Sequence, residues 1–227
     1  MLISIDSVLS KDLVGQFRET LRQARWLNGK RTAGTQASSV KVNQQLDDQS
    51  KPAAGLRQQL LTPLGQHQLF LSAALPHKIL PPTFSRYCAG HRYGAHRDNP
   101  IMPTGGADRM LRTDLSATIF LSEPDEYDGG ALTIETTYGT REIKLGAGDL
   151  ILYPSGSQHR VTPVTHGTRL CALLWIQSMV RDNHQRLLLF DLDQSIQALT
   201  RKQGGEDTEV QRLTGVYHNL VRLWAEV

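Results

Sequence analysis

The segment YCAGHRYGAHRDNP, Tyr87 to Pro100, places two histidines, an aspartate, two tyrosines and two glycines in one short run. His96 and Asp98 stand two residues apart. On a β-strand, side chains at i and i+2 leave the same face, so both can point at one metal ion. The pair alone is a weak signal. With 8 His in a chain of 227 residues that is also rich in Asp, chance supplies about half an occurrence of His-x-Asp. Taken singly, it reads as a His and an Asp in a polar turn before Pro100.

The stronger feature lies downstream, in GAGDLILYPSGSQHRVTPVTHGTR, Gly146 to Arg169. The spacing predicts a strand DLILYP, a turn SGSQ, a new strand opened by His159, a second turn THGT, and a further strand begun by Arg169. A third nitrogen ligand can therefore come from a different strand than His96 and Asp98. Two histidines and one carboxylate on one face of an iron leave three coordination positions open, as in the non-haem Fe(II) oxygenases. Zinc ordinarily asks for a closed tetrahedron or one open position, and its usual thiolates are missing. Three open positions serve a chelating cosubstrate and O2.

Arg169 then has a use. Its planar, always-charged guanidinium grips a carboxylate with two hydrogen bonds, which suits the far end of 2-oxoglutarate. The ordinary fate of an arginine is a surface ion pair of little worth. Yet Arg169 begins the apolar run LCALLWI, where alternation turns it to one face with Cys171, Leu173 and Trp175. If that face is interior, the charge needs an anionic partner.

The elements that must position these residues are legible in outline. LISI reads as a short strand, followed by a helix with Ser10 as N-cap, Asp12 in its first turn, and Leu13, Phe17 and Leu21 on one face. From Gly29 to Gly55 the composition shifts to small and polar residues, which predicts a long loop or broken hairpin that is lid-like or simply mobile. Between Asp114 and Met179, six short runs rich in β-branched and aromatic residues predict a sandwich or barrel. After Met179 the pattern is helical, with a linker RKQGGED and a last helix carrying Leu213, Val216, Tyr217, Leu220, Val221 and Trp224 on one stripe. This tail is expected to pack on the barrel or on a second copy of the chain, a homodimer through the C-terminal helices. The expected division is 1–77, a strand, helix and lid-like segment; 78–179, the β domain; and 180–227, the helical extension.

Composition bounds the rest. Hydrophobic content of 39% and charge of 21% are those of a globular chain. There is no apolar run of membrane-spanning length and no signal-peptide pattern, so no membrane and a cytoplasmic location are expected. Cys88 and Cys171 form no Cys-x-x-Cys pair and are expected reduced and half-buried. The net charge of +3 is spread rather than gathered with aromatics, which argues against a nucleic-acid partner.

The two motifs together resemble the signature of the iron- and 2-oxoglutarate-dependent dioxygenases, in the prolyl-4-hydroxylase-like branch. The first half is Tyr87, Gly90, Tyr93, His96 and Asp98; the second is His159 and Arg169 in HRVTPVTHGTR. With RLCALLWIQSMVRD and the helical tail, the chain is similar to the bacterial PKHD-type hydroxylases. The resemblance implies a mainly β protein with flanking helices, built on a double-stranded β-helix or jelly-roll core. It implies Fe(II) on His96, Asp98 and His159, 2-oxoglutarate on Arg169, Tyr87 on the cosubstrate side, and Tyr93 nearer the primary substrate. It implies hydroxylation of a C–H bond of an amino acid, peptide or small metabolite, with O2 consumed, succinate and CO2 formed, and L-ascorbate as reductant. His67, His77, His91, His166, His184 and His218 carry no assignment.

Two rivals differ at particular positions. Gly148, Pro154, Gly156 and His159 also fit the second motif of cupins, which would make the chain a metal-binding or iron-sensing protein without catalysis. The first cupin motif wants His-x-His and a glutamate, where this chain has Asp98 and RDNPIMP. Nucleic-acid demethylases carry an arginine six residues after the cosubstrate arginine, a place held here by Trp175.

Overall fold

The computed structural model describes residues 1–32, 35–104 and 110–227, with the backbone alone at residues 31, 32, 35 and 36. Strand β1 (Ile3–Ile5) leads to helix α1 (Lys11–Arg22). Ser10 Oγ accepts from the Leu13 N–H and so satisfies one of the free donors of the first turn. Val14, Phe17 and Leu21 are the buried face of α1, and Phe17 meets the Phe84 ring edge-on at 6.0 Å. Next come β2 (Trp26–Asn28), a 3-10 turn (Gly29–Thr32), α2 (Thr35–Ser39), β3 (Lys41–Val42) and β4 (Gln44–Leu46). Helices α3 (Lys51–Leu64) and α4 (Gln68–Ala74) precede β5 (Pro76–Ile79), β6 (Thr83–Cys88) and β7 (Arg92–His96).

A hairpin of β8 (Ile101–Pro103) and β9 (Met110–Arg112) follows, then β10 (Leu115–Phe120), β11 (Tyr127–Gly129) and β12 (Leu132–Thr136). The β region closes with β13 (Gly139–Ile143), β14 (Leu150–Pro154), β15 (His159–Val161) and the long β16 (Val164–Ser178). Helices α5 (Asn183–Gln203) and α6 (Thr208–Trp224) end the fold, capped by Asp182 and Asp207 side chains. No helix among the described residues is long and apolar enough to cross a membrane.

Apart from the β8-β9 hairpin, the described strands form two antiparallel sheets. The larger runs β1-β14-β10-β16-β6-β4-β2, with β5 and β11 also pairing β16; the smaller runs β13-β12-β15-β7-β3. Alternation along the larger sheet separates two environments. Leu115, Ala117, Ile119, Leu150, Leu152, Ala172 and Leu174 pack outward against α1, α3 and α4 in the main apolar core. The opposite face carries Phe120, Ile151, Tyr153 and Cys171, which meet Tyr93, Leu132, Ile134 and Val161 of the smaller sheet. The result is a jelly roll whose interior is part core and part cavity.

The helical tail packs on its own chain. Leu189 of α5 and Tyr217, Leu220, Val221 and Trp224 of α6 gather around Leu75 and Val180, and Ser72 Oγ donates to Asp193 Oδ2 at 2.6 Å. Val216, also on the expected stripe, is exposed.

Four expectations change in detail. The segment 29–55 is not a long loop: β2 and β4 pair as a broken hairpin, and β3 joins β7 of the other sheet. Strands of two and three residues are too short to leave a pattern in sequence. Residues 33 and 34 of that segment lie outside the described residues. THGT is no turn between strands but part of β16; Gly167 takes φ +73 there, and a Cβ would lie 2.1 Å from the Glu126 carbonyl. The linker before α6 is shorter than expected because RKQ continues α5. Cys171 is fully buried rather than half-buried, facing inward beside Arg169.

Candidate active site

Three potential ligands converge at one end of the jelly roll. In the register of β15 on β7, His159 faces His96 and Val161 faces Tyr93. Two steps along β15 thus oppose three along β7, a β-bulge that turns both Tyr93 and His96 inward. Asp98 follows just past β7. One ligand atom from each of His96, Asp98 and His159 lies within 4.8 Å of the others. Asp98 Oδ1 is 4.0 Å from His96 Nε2 and 3.9 Å from His159 Nε2.

The remaining atoms of the triad are already engaged. His96 Nδ1 lies 2.8 Å from the Gly94 carbonyl and His159 Nδ1 lies 3.0 Å from the Ser157 carbonyl. A carbonyl only accepts, so each Nδ1 carries the proton and each Nε2 presents a lone pair. Burial, with His159 alongside, holds the His96 imidazole down at about 4, so it is neutral at ordinary pH. Ser116 Oγ donates to Asp98 Oδ2 at 2.5 Å. That uses the only hydroxyl proton of Ser116, so in the 2.7 Å contact between Ser116 and Ser155 it is Ser155 that donates. Tyr93 stacks on His96 at 3.6 Å between ring centroids, and Tyr153 meets His159 edge-on at 5.1 Å.

Arg169 sits deeper on the inner face of β16, 1% exposed. Its guanidinium lies over the rings of Tyr87 and Phe120, 5.3 and 5.2 Å from their centroids, and Nη1 donates to Cys171 Sγ at 2.9 Å. Nε has no partner, and none of the ion pairs among the described residues involves Arg169. A buried cation with an orphaned donor is costly, and a carboxylate arriving from outside the chain would satisfy it. Tyr87 is buried against it, its hydroxyl held protonated by that burial.

His96, Asp98, His159, Arg169, Tyr87 and Tyr93 all line a single cavity. Among the described residues, none of the other histidines lines it. Sequence reasoning missed Lys41, Ser116, Thr118 and Tyr153, which line it too. A signal existed for two of them: in LSATIF every residue is buried, and the polar ones alternate, so Ser116 and Thr118 mark the face turned to a polar cavity. Nothing in the sequence marks Lys41.

The 2OG-Fe(II) oxygenase superfamily pattern matches residues 82–177, and the PKHD-type hydroxylase C-terminal domain pattern matches residues 183–226. A PKHD-type hydroxylase of Pseudoalteromonas atlantica is 57% identical over 225 residues, covering 99% of each chain. The chain belongs to the PKHD-type hydroxylase family. A second PKHD-type hydroxylase, from Acidovorax ebreus, is 54% identical over 99% of each chain.

Among solved structures, a Pseudomonas putida prolyl-4-hydroxylase superposes with a TM-score of 0.52 at 22% identity, over 78% of this chain and 92% of that one. The Trichoplax adhaerens prolyl hydroxylase gives 0.53 at 16%, over 82% and 86%. At these identities the likeness is one of fold. Membership of the PKHD-type hydroxylases makes this chain an Fe(II)- and 2-oxoglutarate-dependent oxygenase. Its residues fit both groups: two imidazoles whose Nε2 atoms face Asp98 and a carboxylate for the metal, and a buried guanidinium with an unpaired Nε and no acidic partner among the described residues for the cosubstrate's far carboxylate.

Proposed function

We propose that this PKHD-type hydroxylase holds Fe(II) through His96 Nε2, Asp98 Oδ1 and His159 Nε2, and 2-oxoglutarate through Arg169, to hydroxylate a C–H bond of a small-molecule or peptidyl substrate. The observation that carries the reading is one cavity containing both a preorganised His-Asp-His set and a buried arginine without an acidic partner. The bound iron and cosubstrate supply the oxidising chemistry, with succinate and CO2 as the coproducts.

The protein's own contribution is placement. The Gly94 and Ser157 carbonyls fix the tautomers of the two histidines, and Ser116 holds one oxygen of Asp98 so that the other faces the metal position. Tyr87 and Phe120 wall the arginine from water, which strengthens its pairing with a carboxylate. Tyr93, on the opposite sheet, borders the side where the primary substrate lies. L-ascorbate as reductant, a cytoplasmic location and a homodimer through the C-terminal helices belong to the same proposal, with no nucleic-acid partner.

The test is chemical. Purified protein given Fe(II), 2-oxoglutarate and air should form succinate slowly even without a primary substrate, and Arg169→Ala should lose this at low cosubstrate concentration. Absence of succinate from iron-loaded protein would overturn the reading.

A further inference from the structure

Arg169 stands in a row of inward side chains that crosses three strands. In the register of β6 on β16, Tyr87 faces Arg169; in that of β4 on β6, Gln44 faces Arg86 and Gln45 faces Ser85. One step further along the same register, Asn43 falls opposite Tyr87. Directly opposed residues of antiparallel strands share a face, so Asn43, Tyr87 and Arg169 turn the same way. The neighbours on the other face pin this alignment: Arg86 donates from both Nε and Nη2 to Gln44 Oε1 and lies over the Trp26 ring.

Asn43 is 4% exposed, and neither Oδ1 nor Nδ2 of its amide has a hydrogen-bond partner. Leaving both ends of a buried amide unpaired is costly. The two ends differ in surroundings. Oδ1 lies against the bare Cα of Gly29, where a Cβ would stand 1.8 Å from it. A Cα–H group suits an oxygen and not an NH2. Nδ2 is therefore the end left for Tyr87. The amide already acts on that phenol, opposing the burial that holds its proton on. Asn43 is not among the described residues lining the cavity, whereas Tyr87 and Arg169 are, so it stands behind Tyr87.

The direction of the contact matters because a phenol has one proton to give. If Asn43 accepted it, none would remain for a ligand. With Nδ2 donating to Oη, the O–H is free to point into the cavity beside Arg169. We infer that Asn43 is a positioning residue for the cosubstrate: it donates to Tyr87 Oη and so aims the phenol proton at the carboxylate that Arg169 holds. This rests on the oxygenase reading of the cavity. The competing role is architectural, with Asn43 filling the corner at Gly29, whose N–H donates to the Asn43 carbonyl at 3.0 Å.

A double-mutant cycle separates the two. Full-length protein loaded with Mn(II) is titrated calorimetrically with 2-oxoglutarate as wild type, Asn43→Leu, Tyr87→Phe and the double variant. Each single variant is expected to bind the cosubstrate about tenfold more weakly, and the double variant no more weakly than either. Mn(II) affinity should hold throughout, and in succinate formation the loss should fall on KM for 2-oxoglutarate rather than on kcat. Undiminished affinity in Asn43→Leu, or losses that multiply in the double variant, would overturn the inference and leave Asn43 a packing residue. Should Asn43→Leu not fold, Asn43→Ser, too short to reach Tyr87, takes its place in the cycle with the same expected outcome. Wild-type protein that holds Mn(II) but no 2-oxoglutarate would overturn the oxygenase reading and this inference with it, a result distinct from one confined to the variants.

Discussion

Ser116 Oγ reaches from β10 of the larger sheet to Asp98 Oδ2, 2.5 Å away, beyond the end of β7 in the smaller one. The bond ties the carboxylate to the opposite wall of the jelly roll, and Ser155, in the turn that leads to His159, donates to the same hydroxyl. One serine therefore orients Asp98 and links it to the approach of the second histidine. Ser116→Ala should fold and lower Fe(II) or Mn(II) affinity by about 10- to 100-fold, with Ser116→Thr restoring most of it. Metal titration followed by electron paramagnetic resonance checks this. Unchanged affinity and an unchanged Mn(II) spectrum would show that the hydrogen bond does no orienting.

Arg169→Met exchanges a buried guanidinium with an unpaired Nε for an apolar chain. Affinity for 2-oxoglutarate should fall by about 2 to 5 kcal/mol while the metal stays bound. The metal-free variant should be no less stable than the wild type, because the orphaned Nε disappears with the charge. Calorimetric titration and thermal melting read the two effects separately. Undiminished cosubstrate affinity would make Arg169 a structural residue.

Lys41 gives the metal-free protein a pH signature. Its ammonium titrates at about 8 in the fold against 10.5 for an ordinary lysine, chiefly through burial. Between those values the unfolded chain holds a proton that the folded site lacks, so folding stability rises with pH across that window. The full effect is on the order of 3 kcal/mol. Lys41→Met should therefore exceed the wild type in stability most below pH 8, and the gap should close towards pH 10.5. Urea unfolding across that range measures it; a constant gap would contradict the buried charge.

Leu189 is fully buried where α5 meets Leu75 and Val180. Leu189→Ala should cost about 2 to 5 kcal/mol in urea unfolding and leave metal affinity unchanged, since it touches no cavity residue. A loss below about 0.5 kcal/mol would show that the helical tail packs loosely.

What the sequence disclosed and what it hid divide along the length of the local pattern. Strands of five residues or more, such as Leu150–Pro154, repeat their alternation often enough to be read, and the same alternation turned Arg169 inward beside Cys171. The triad spacing was visible because His96 and Asp98 share a short extended segment. Lys41 was invisible: its strand has two residues, and only pairing with Tyr93 fixes which way it points. Ser155 was equally silent, because its role depends on a partner 39 residues away. THGT misled because a glycine at positive φ inside a continuous strand looks, in sequence, like a turn.

The most direct measurement is anaerobic titration of the protein with Fe(II) and 2-oxoglutarate, following the weak visible charge-transfer band of the chelate. The expected result is a band that requires both components, disappears in His96→Ala, and needs far more cosubstrate in Arg169→Ala. Iron binding with no band at any cosubstrate concentration would contradict the account and leave a metal-binding protein in its place.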